Sequence, residues 1–172
     1  SKVKFYPIAA LTKKTLGENM TEIGSLIDAG AVGFSDAYKE IKNTKVLKNA
    51  FTYATNFDAQ IIQVPISDLD QGGVMNESEM SMRLGLPGMI SIAETIALER
   101  ELRIAKHAGA KYHSMCISTK ESLNAIMHYK NLTDSITSGI SINNLILNEN
   151  DIGAYRTFFK LRPPLRSEED RF

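Results

Sequence analysis

Short apolar segments alternate with segments whose apolar residues recur at helical spacing, and this alternation is the strongest constraint on the fold. Its order is β-α-β-α-β-loop-α-β-α-β. Strands joined by helices pack as a parallel sheet with the helices outside, because each helical crossover returns the chain to the same end of the sheet. The sequence therefore predicts an α/β fold. The five predicted strands are 3–11, 31–35, 60–64, 112–117 and 134–142.

The stretch YHSMCIST at 112–119 is the clearest junction between a strand and a helix. Side chains alternate along a strand, so Cys116 is predicted to share a face with Tyr112. Ser118 and Glu121 have the spacing of a capping box, which predicts that the next helix begins at Ser118. Parallel α/β enzymes place functional side chains at the carboxyl ends of such strands, and here that side chain is Cys116.

Further helix starts are marked by capping residues and by a proline. Asn19 with Glu22 forms a second capping-box pair, and Asn43 is a candidate cap for the following helix. Residues 68–88 have the composition of a long irregular loop, and loops of that length tend to be functional. Pro87 suits the first turn of a helix. The helices predicted from these signals are 21–29, one that begins near 43, and 88–107.

Composition describes an ordinary globular chain of 172 residues, with 43% hydrophobic and 23% charged residues. A formal net charge of +0 without a basic block argues against nucleic acid or an anionic membrane surface as a partner. The single cysteine excludes an internal disulfide and suits a reducing compartment. No apolar run reaches the roughly 18 residues of a membrane span, and SKVKFYP has no signal-peptide core. We expect a cytoplasmic protein.

We predict a single domain over residues 1–172, with a loop-rich tail at 143–172 packed on it. The predicted anchors of this tail are Phe158, Phe159 and Leu161. A closed barrel and an open doubly wound sheet share the same local alternation, so periodicity leaves both open. No glycine-rich nucleotide fingerprint is present to favour the open sheet.

Four stretches together resemble dihydroorotase, a cyclic-amide hydrolase of the amidohydrolase superfamily. They are GAVGFSD at 30–36, GGVMNESEMSMRLGLPG at 72–88, GAKYHSMCIST at 109–119 and LNENDIGAYRTFFKLRPPLRSEEDR at 147–171. The resemblance covers nearly all of the chain, but only the middle of a full family member. It implies a partial TIM-type (β/α)8 barrel of about five parallel βα units, which match the third to seventh strands.

The chemistry that the resemblance implies is a zinc-activated hydroxide acting on the ring amide of dihydroorotate. The family's HxH pair and its catalytic aspartate belong to the first and eighth strands, outside the matching stretch. Val64 and Cys116 stand where family patterns have histidines, and Arg162 stands where the family has an asparagine before PPLR. Asp36 matches a family metal-ligand position. Most of the family's metal ligands are therefore missing, and we expect no bound zinc.

Two pairs of residues remain as candidate site residues, and no catalytic residue is assigned. Asp36 and Cys116 are candidate metal ligands, with a loop or capping carboxylate and a small buried cysteine as the alternatives. His113 falls on the other strand face from Cys116. Arg162 and Arg166 are candidates for holding an anionic substrate group, and Arg166 matches a family arginine for which a structural role is the alternative.

These features predict a dihydroorotase-like protein of pyrimidine biosynthesis that is inactive alone. Whether the chain acts as an enzyme stays open. The alternatives are a non-catalytic structural partner of aspartate transcarbamoylase, or an active site completed by another chain. A decayed gene product and an unrelated small-molecule-binding module also stay open. A partial barrel leaves two sheet edges to be covered, so we expect a homo-oligomer, most simply a homodimer.

Overall fold

The computed structural model describes residues 3–70 and 72–172. Its main feature is a five-stranded parallel sheet, which confirms the predicted α/β fold. The order across this sheet is β1-β2-β3-β6-β7, with β4 and β5 forming a separate two-stranded parallel pair. The strands are β1 Ile8–Ala9, β2 Gly33–Phe34, β3 Gln60–Gln63, β4 Met75–Asn76, β5 Gly88–Met89, β6 Lys111–Ser114 and β7 Ile136–Ser138.

Helices connect these strands along the chain. They are α1 Ile23–Asp28, α2 Thr44–Thr55, α3 Glu79–Leu84, α4 Ser91–Ala108, α5 Lys120–Lys130, α6 Ile142–Ile146 and α7 Glu168–Arg171. Single 3-10 turns lie at Lys13–Thr15, Asp68–Asp70, Glu149–Ile152 and Thr157–Phe159. No helix among the described residues is both long enough and apolar enough to cross a membrane.

The sheet strands lie at the five predicted segments but are shorter than predicted. The segment 3–11 pairs only at Ile8 and Ala9, because its neighbour β2 is itself two residues long. Phe5 and Tyr6 are left mostly exposed. At the other edge, the segment 134–142 pairs only at 136–138, and α6 already begins within it.

The region 68–88, predicted as irregular, is instead partly ordered, so that prediction was wrong. Ser78 and Ser81 cap α3 reciprocally, each hydroxyl accepting from the other residue's backbone N–H. Gly85 ends α3 in the left-handed region at a φ of +64°. Gly88 then pairs with Met75, so α4 begins at Ser91 and not in the turn after Pro87.

The main core lies between the sheet and the helices α1, α2, α4 and α5. Its largest fully buried side chains include Phe34, Phe51, Leu98 and Tyr112, and the Phe51 and Tyr112 rings pack with centroids 5.8 Å apart. This packing fixes the positions of the carboxyl ends of the strands.

A second, smaller core joins the β4–β5 region to the carboxyl-terminal part of the chain. It consists of Met75, Ile152 and Leu165, with Phe159 and Leu161 packed against it. Phe159 and Leu161 are thus anchors as predicted. Phe158 is 92% exposed, so its prediction as an anchor was wrong.

Candidate site at the carboxyl ends of the strands

A small cavity lies beyond the carboxyl ends of β3 and β6. Its lining includes Val64, Asp70, Glu94, Cys116, Arg162 and Arg166, which brings three of the four predicted site residues together. Its volume is about 10 Å³, roughly the room that a single water needs, so the surrounding side chains leave little free space here.

Arg166 crosses this site as a buried charge, 3% exposed. Its Nη2 lies 3.6 Å from Glu94 Oε2, and Nε donates to Ser118 Oγ at 3.0 Å. Its Nη1 donates to Asn76 Oδ1 at 3.0 Å and to the Met89 carbonyl at 2.8 Å. The guanidinium therefore ties β4, β5, α4 and the start of α5 together. These contacts are those of a structural arginine.

Glu94, on the first turn of α4, is the centre of the same network. Its carboxylate is buried and accepts hydrogen bonds from the backbone N–H of Ser118 at 2.8 Å and of Thr119 at 3.2 Å. The Ser118 hydroxyl also donates to Glu94. Ser118 is therefore not the helix cap that the sequence predicted. Thr119 caps α5 instead, by accepting from the N–H of Ser122 at 3.1 Å.

Asp36 lies beyond the carboxyl end of β2 and is 1% exposed. One carboxylate oxygen accepts from the Thr12 N–H at 2.9 Å, and the other accepts from the Thr12 hydroxyl. The Asp36 N–H in turn donates to Gln63 Oε1 at 3.4 Å. Asp36 thus joins the ends of β1, β2 and β3, and both of its oxygens are already engaged.

Cys116 lies two residues beyond β6, half-buried and free of a disulfide. Its φ of +57° is in the left-handed region, so the strand alternation predicted through Cys116 stops at Ser114. His113 is directed elsewhere, with Nδ1 2.8 Å from the Thr137 hydroxyl. Burial lowers the pKa of His113. The side chains of Cys116 and His113 therefore lie in different surroundings.

Asp70 and Glu94 are the site residues that sequence reasoning missed. Asp70 is 7% exposed, and its Oδ1 has no hydrogen-bond partner among the residues described. Burial raises the pKa of Asp70, opposed by the charges of Arg166 and Arg162. The sequence signal was an acid close before Gly72 and Gly73 of the predicted loop. Arg162 is itself exposed at the rim.

The described residues do not by themselves supply the zinc centre that the resemblance implies. Val64 has no ligand atom, and each oxygen of Asp36 already accepts one hydrogen bond from Thr12. Within 3–70 and 72–172, no three His, Cys, Asp or Glu side chains are close enough to share a metal ion. The site buries the Arg166–Glu94 ion pair and places the carboxyl group of Asp70 near Arg166 and Arg162.

Solved structures define the class of fold. The chain superposes on the L-hydantoinase (dihydropyrimidinase) of Arthrobacter aurescens with a TM-score of 0.78 at 20% identity, over 99% of this chain and 39% of that one. It superposes on the dihydroorotase of Campylobacter jejuni with a TM-score of 0.56 at 14% identity, over 86% and 40%. The fold is that of part of a TIM-type barrel, as the resemblance implied.

Sequence comparison then gives the family. The family model described as "Dihydro-orotase-like" matches residues 1–122, and the chain belongs to this family. It is 34% identical to a "Dihydroorotase-like protein" of Pseudomonas putida over 169 residues, which cover 98% of this chain and 40% of that protein. It is 31% identical to the dihydroorotase of Staphylococcus aureus strain N315 over 172 residues. The chain spans about 40% of the length of these curated relatives.

Proposed function

We propose that this chain is a dihydroorotase-like barrel protein that does not catalyse cyclic-amide chemistry alone and serves as a binding or assembly partner in pyrimidine biosynthesis. The observation that carries this proposal is the buried Arg166–Glu94 ion pair, which lies in the same small site as Val64 and Cys116. The family resemblance marks the positions of Val64 and Cys116 as those of histidines. A valine side chain has no atom that can ligate a metal ion.

Metal analysis combined with an activity assay tests this proposal. The purified protein is dialysed against zinc, its metal content is measured by mass spectrometry, and cyclisation of N-carbamoyl-aspartate is followed in parallel. The S. aureus dihydroorotase, a 31% identical relative, is the positive control. We expect less than stoichiometric zinc and no turnover above the blank. Stoichiometric zinc with turnover would overturn the proposal.

The alternative is an active site completed by a second chain. It is supported by the length of the match, because this chain spans about 40% of the length of its relative. Co-expression with the flanking barrel segments of a relative distinguishes the two. Cyclisation that appears only in the co-expressed complex favours completion by a second chain. Continued inactivity in a stable complex favours the non-catalytic role.

Aspartate transcarbamoylase is the partner that we propose for the assembly role. The support is the family resemblance, since some dihydroorotase-like chains act as structural partners of that enzyme. Mixing the two purified proteins, followed by analytical ultracentrifugation, tests the association. We expect a complex that sediments faster than either component, and unchanged sedimentation of both would remove this partner. A parallel run with bovine serum albumin controls for nonspecific association.

A further inference from the structure

A second pocket, of about 250 Å³, lies between the β4–β5 region and the turn at 155–160. It shares no lining residue with the cavity at the strand ends. Its apolar lining consists of Val74, Met75, Leu86, Ile152 and Phe159. Met75 and Ile152 are 2% and 5% exposed and belong to the second core, so the floor of the pocket is fixed by packing.

The wall of the pocket is held by a long-range contact. Tyr155 lines the pocket, and its hydroxyl donates to the carbonyl of Leu84 at the end of α3. This hydrogen bond connects the turn at 155–160 to the opposite wall. The pocket is therefore a built feature of two segments that are distant in sequence, and its shape depends on their contact.

The rim of the pocket is basic. Arg156 and Lys160 both line it and both are exposed. The 3-10 turn Thr157–Phe159 separates them, with the Lys160 N–H donating to the Thr157 carbonyl at 3.1 Å. No carboxylate lines the pocket, and among the described residues neither cation forms an ion pair. The rim thus carries uncompensated positive charge over an apolar floor.

We propose that this pocket binds an amphipathic monocarboxylate of medium-chain size, with its apolar chain against Met75 and Ile152 and its carboxylate between Arg156 and Lys160. Ligand pockets are mostly apolar with a few polar groups that fix orientation, and this pocket has that composition. Its volume of about 250 Å³ lies just below the usual range of small-molecule sites and suits a single aliphatic chain. Guanidinium and ammonium groups bind carboxylates through charge-assisted hydrogen bonds. This inference does not depend on the proposed function.

The test uses decanoate, with the neutral decanol as the matched ligand, both below their aggregation concentrations. Protein labelled at the methionine methyls is titrated and followed by NMR, because Met75 lies in the pocket floor and Met127 is exposed on α5. We expect a saturable shift of the Met75 methyl with decanoate and no shift of Met127. Decanol should bind roughly tenfold more weakly, since it lacks the charge.

Charge variants separate head-group recognition from simple partition into an apolar cleft. Arg156→Gln with Lys160→Gln should weaken decanoate binding roughly tenfold and leave decanol binding unchanged. Lys48→Gln, at an exposed lysine on α2, is the matched control and should change neither affinity. Circular dichroism establishes that each variant is folded.

Any of the following results would overturn the proposal. The first is a Met75 signal that does not respond to decanoate. The second is equal binding of decanoate and decanol by the wild-type protein, or an unchanged decanoate affinity in the charge variant. The third is a Met75 shift that depends on protein concentration without ligand, because a second copy of the chain would then cover the pocket.

Discussion

The ion pair between Arg166 and Glu94 is the residue-scale feature on which the site depends. Both side chains are almost completely buried, at 2% and 3% side-chain exposure. Buried charges are costly to desolvate and are tolerated where every donor and acceptor finds a partner. Arg166 uses Nε and Nη1 in hydrogen bonds to Ser118, Asn76 and the Met89 carbonyl, and its Nη2 faces Glu94. The pair therefore helps to hold β4, β5, α4 and the start of α5 in one arrangement.

Replacing Arg166 with alanine should destabilise the protein strongly. The change leaves the Glu94 carboxylate buried without its cation, which costs about 3–5 kcal/mol in the free energy of unfolding. Arg103→Ala is the matched control, because Arg103 pairs with Glu99 at an exposed position and such pairs contribute less than about 1 kcal/mol. Urea denaturation measures both variants. Equal losses in the two would contradict a central role for Arg166.

A buried carboxyl group on α4 predicts an unusual pH dependence. Burial raises the pKa of Glu101 from 4.5 to about 7, although the Tyr112 hydroxyl donates to it at 2.7 Å. The folded protein therefore keeps a proton that the unfolded chain releases. That contribution to stability is complete below about pH 4.5 and is lost as the pH rises through about 7.

Glu101→Gln should remove this dependence. In the wild-type protein the free energy of unfolding should fall by on the order of 3 kcal/mol between about pH 5 and about pH 8, from this group. Glutamine does not titrate, so the variant should show a flatter profile and higher stability at the alkaline end. Urea denaturation across this range measures the profile. Glu99→Gln, at an exposed position on the same helix, should keep the wild-type slope.

At the scale of elements, the sequence predicted which segments form the sheet better than where each helix begins. Asn43 caps α2 as predicted, with its side chain accepting from two backbone N–H groups of the first turn. Asn19 does not cap α1, because its backbone carbonyl accepts from Lys13 and the next residue, Met20, bridges Thr12. Glu22 precedes α1 without any side-chain cap. A local spacing thus predicts a cap only where tertiary contacts leave the backbone around it free to begin a helix.

The difference between local sequence signals and tertiary contacts also explains which parts of the site were predictable. Asp36, Cys116 and Arg166 were identified because a family motif marks their positions. Glu94 was missed because a glutamate in the first turn of a helix ordinarily faces water and favours the helix dipole. Its burial depends on Arg166, which is remote in sequence. Likewise, Asp70 is buried by neighbours that only the tertiary fold brings to it.

The cap of α2 gives an element-scale prediction. Asn43 Oδ1 accepts from the N–H groups of Lys45 at 3.0 Å and Val46 at 3.3 Å. Asn43→Ala removes both acceptors and should lower the free energy of unfolding by about 1 kcal/mol. Asn49→Ala, at an exposed position within the same helix, should be neutral or slightly stabilising because alanine favours helix. Thermal denaturation of both variants separates the effect of losing the cap from the general effect of replacing asparagine with alanine.

At the scale of the whole molecule, the sheet ends in strands that are paired on one side only. Among the described residues, β1 pairs with β2 alone and β7 with β6 alone. Large apolar side chains beside β1 are exposed, with Phe5 at 85%, Tyr6 at 65% and Ile8 at 52%. Unpaired strand edges next to apolar surface are sites of association. We therefore predict that two copies associate through the β1 edge.

A charge placed on that edge should weaken the association. In an Ile8→Lys variant, pairing of the two edges would remove water from the lysine charge, and charged residues on edge strands oppose pairing. We expect a dimer for the wild-type protein in analytical ultracentrifugation, and an Ile8→Lys variant with a dimer dissociation constant at least roughly tenfold higher. Ile96→Lys adds the same charge at a similarly exposed isoleucine, 50% exposed, on α4. It should leave the dimer unchanged if the strand edge, and not apolar surface in general, holds the two copies together. A wild-type protein that stays monomeric at tens of micromolar would contradict the predicted interface.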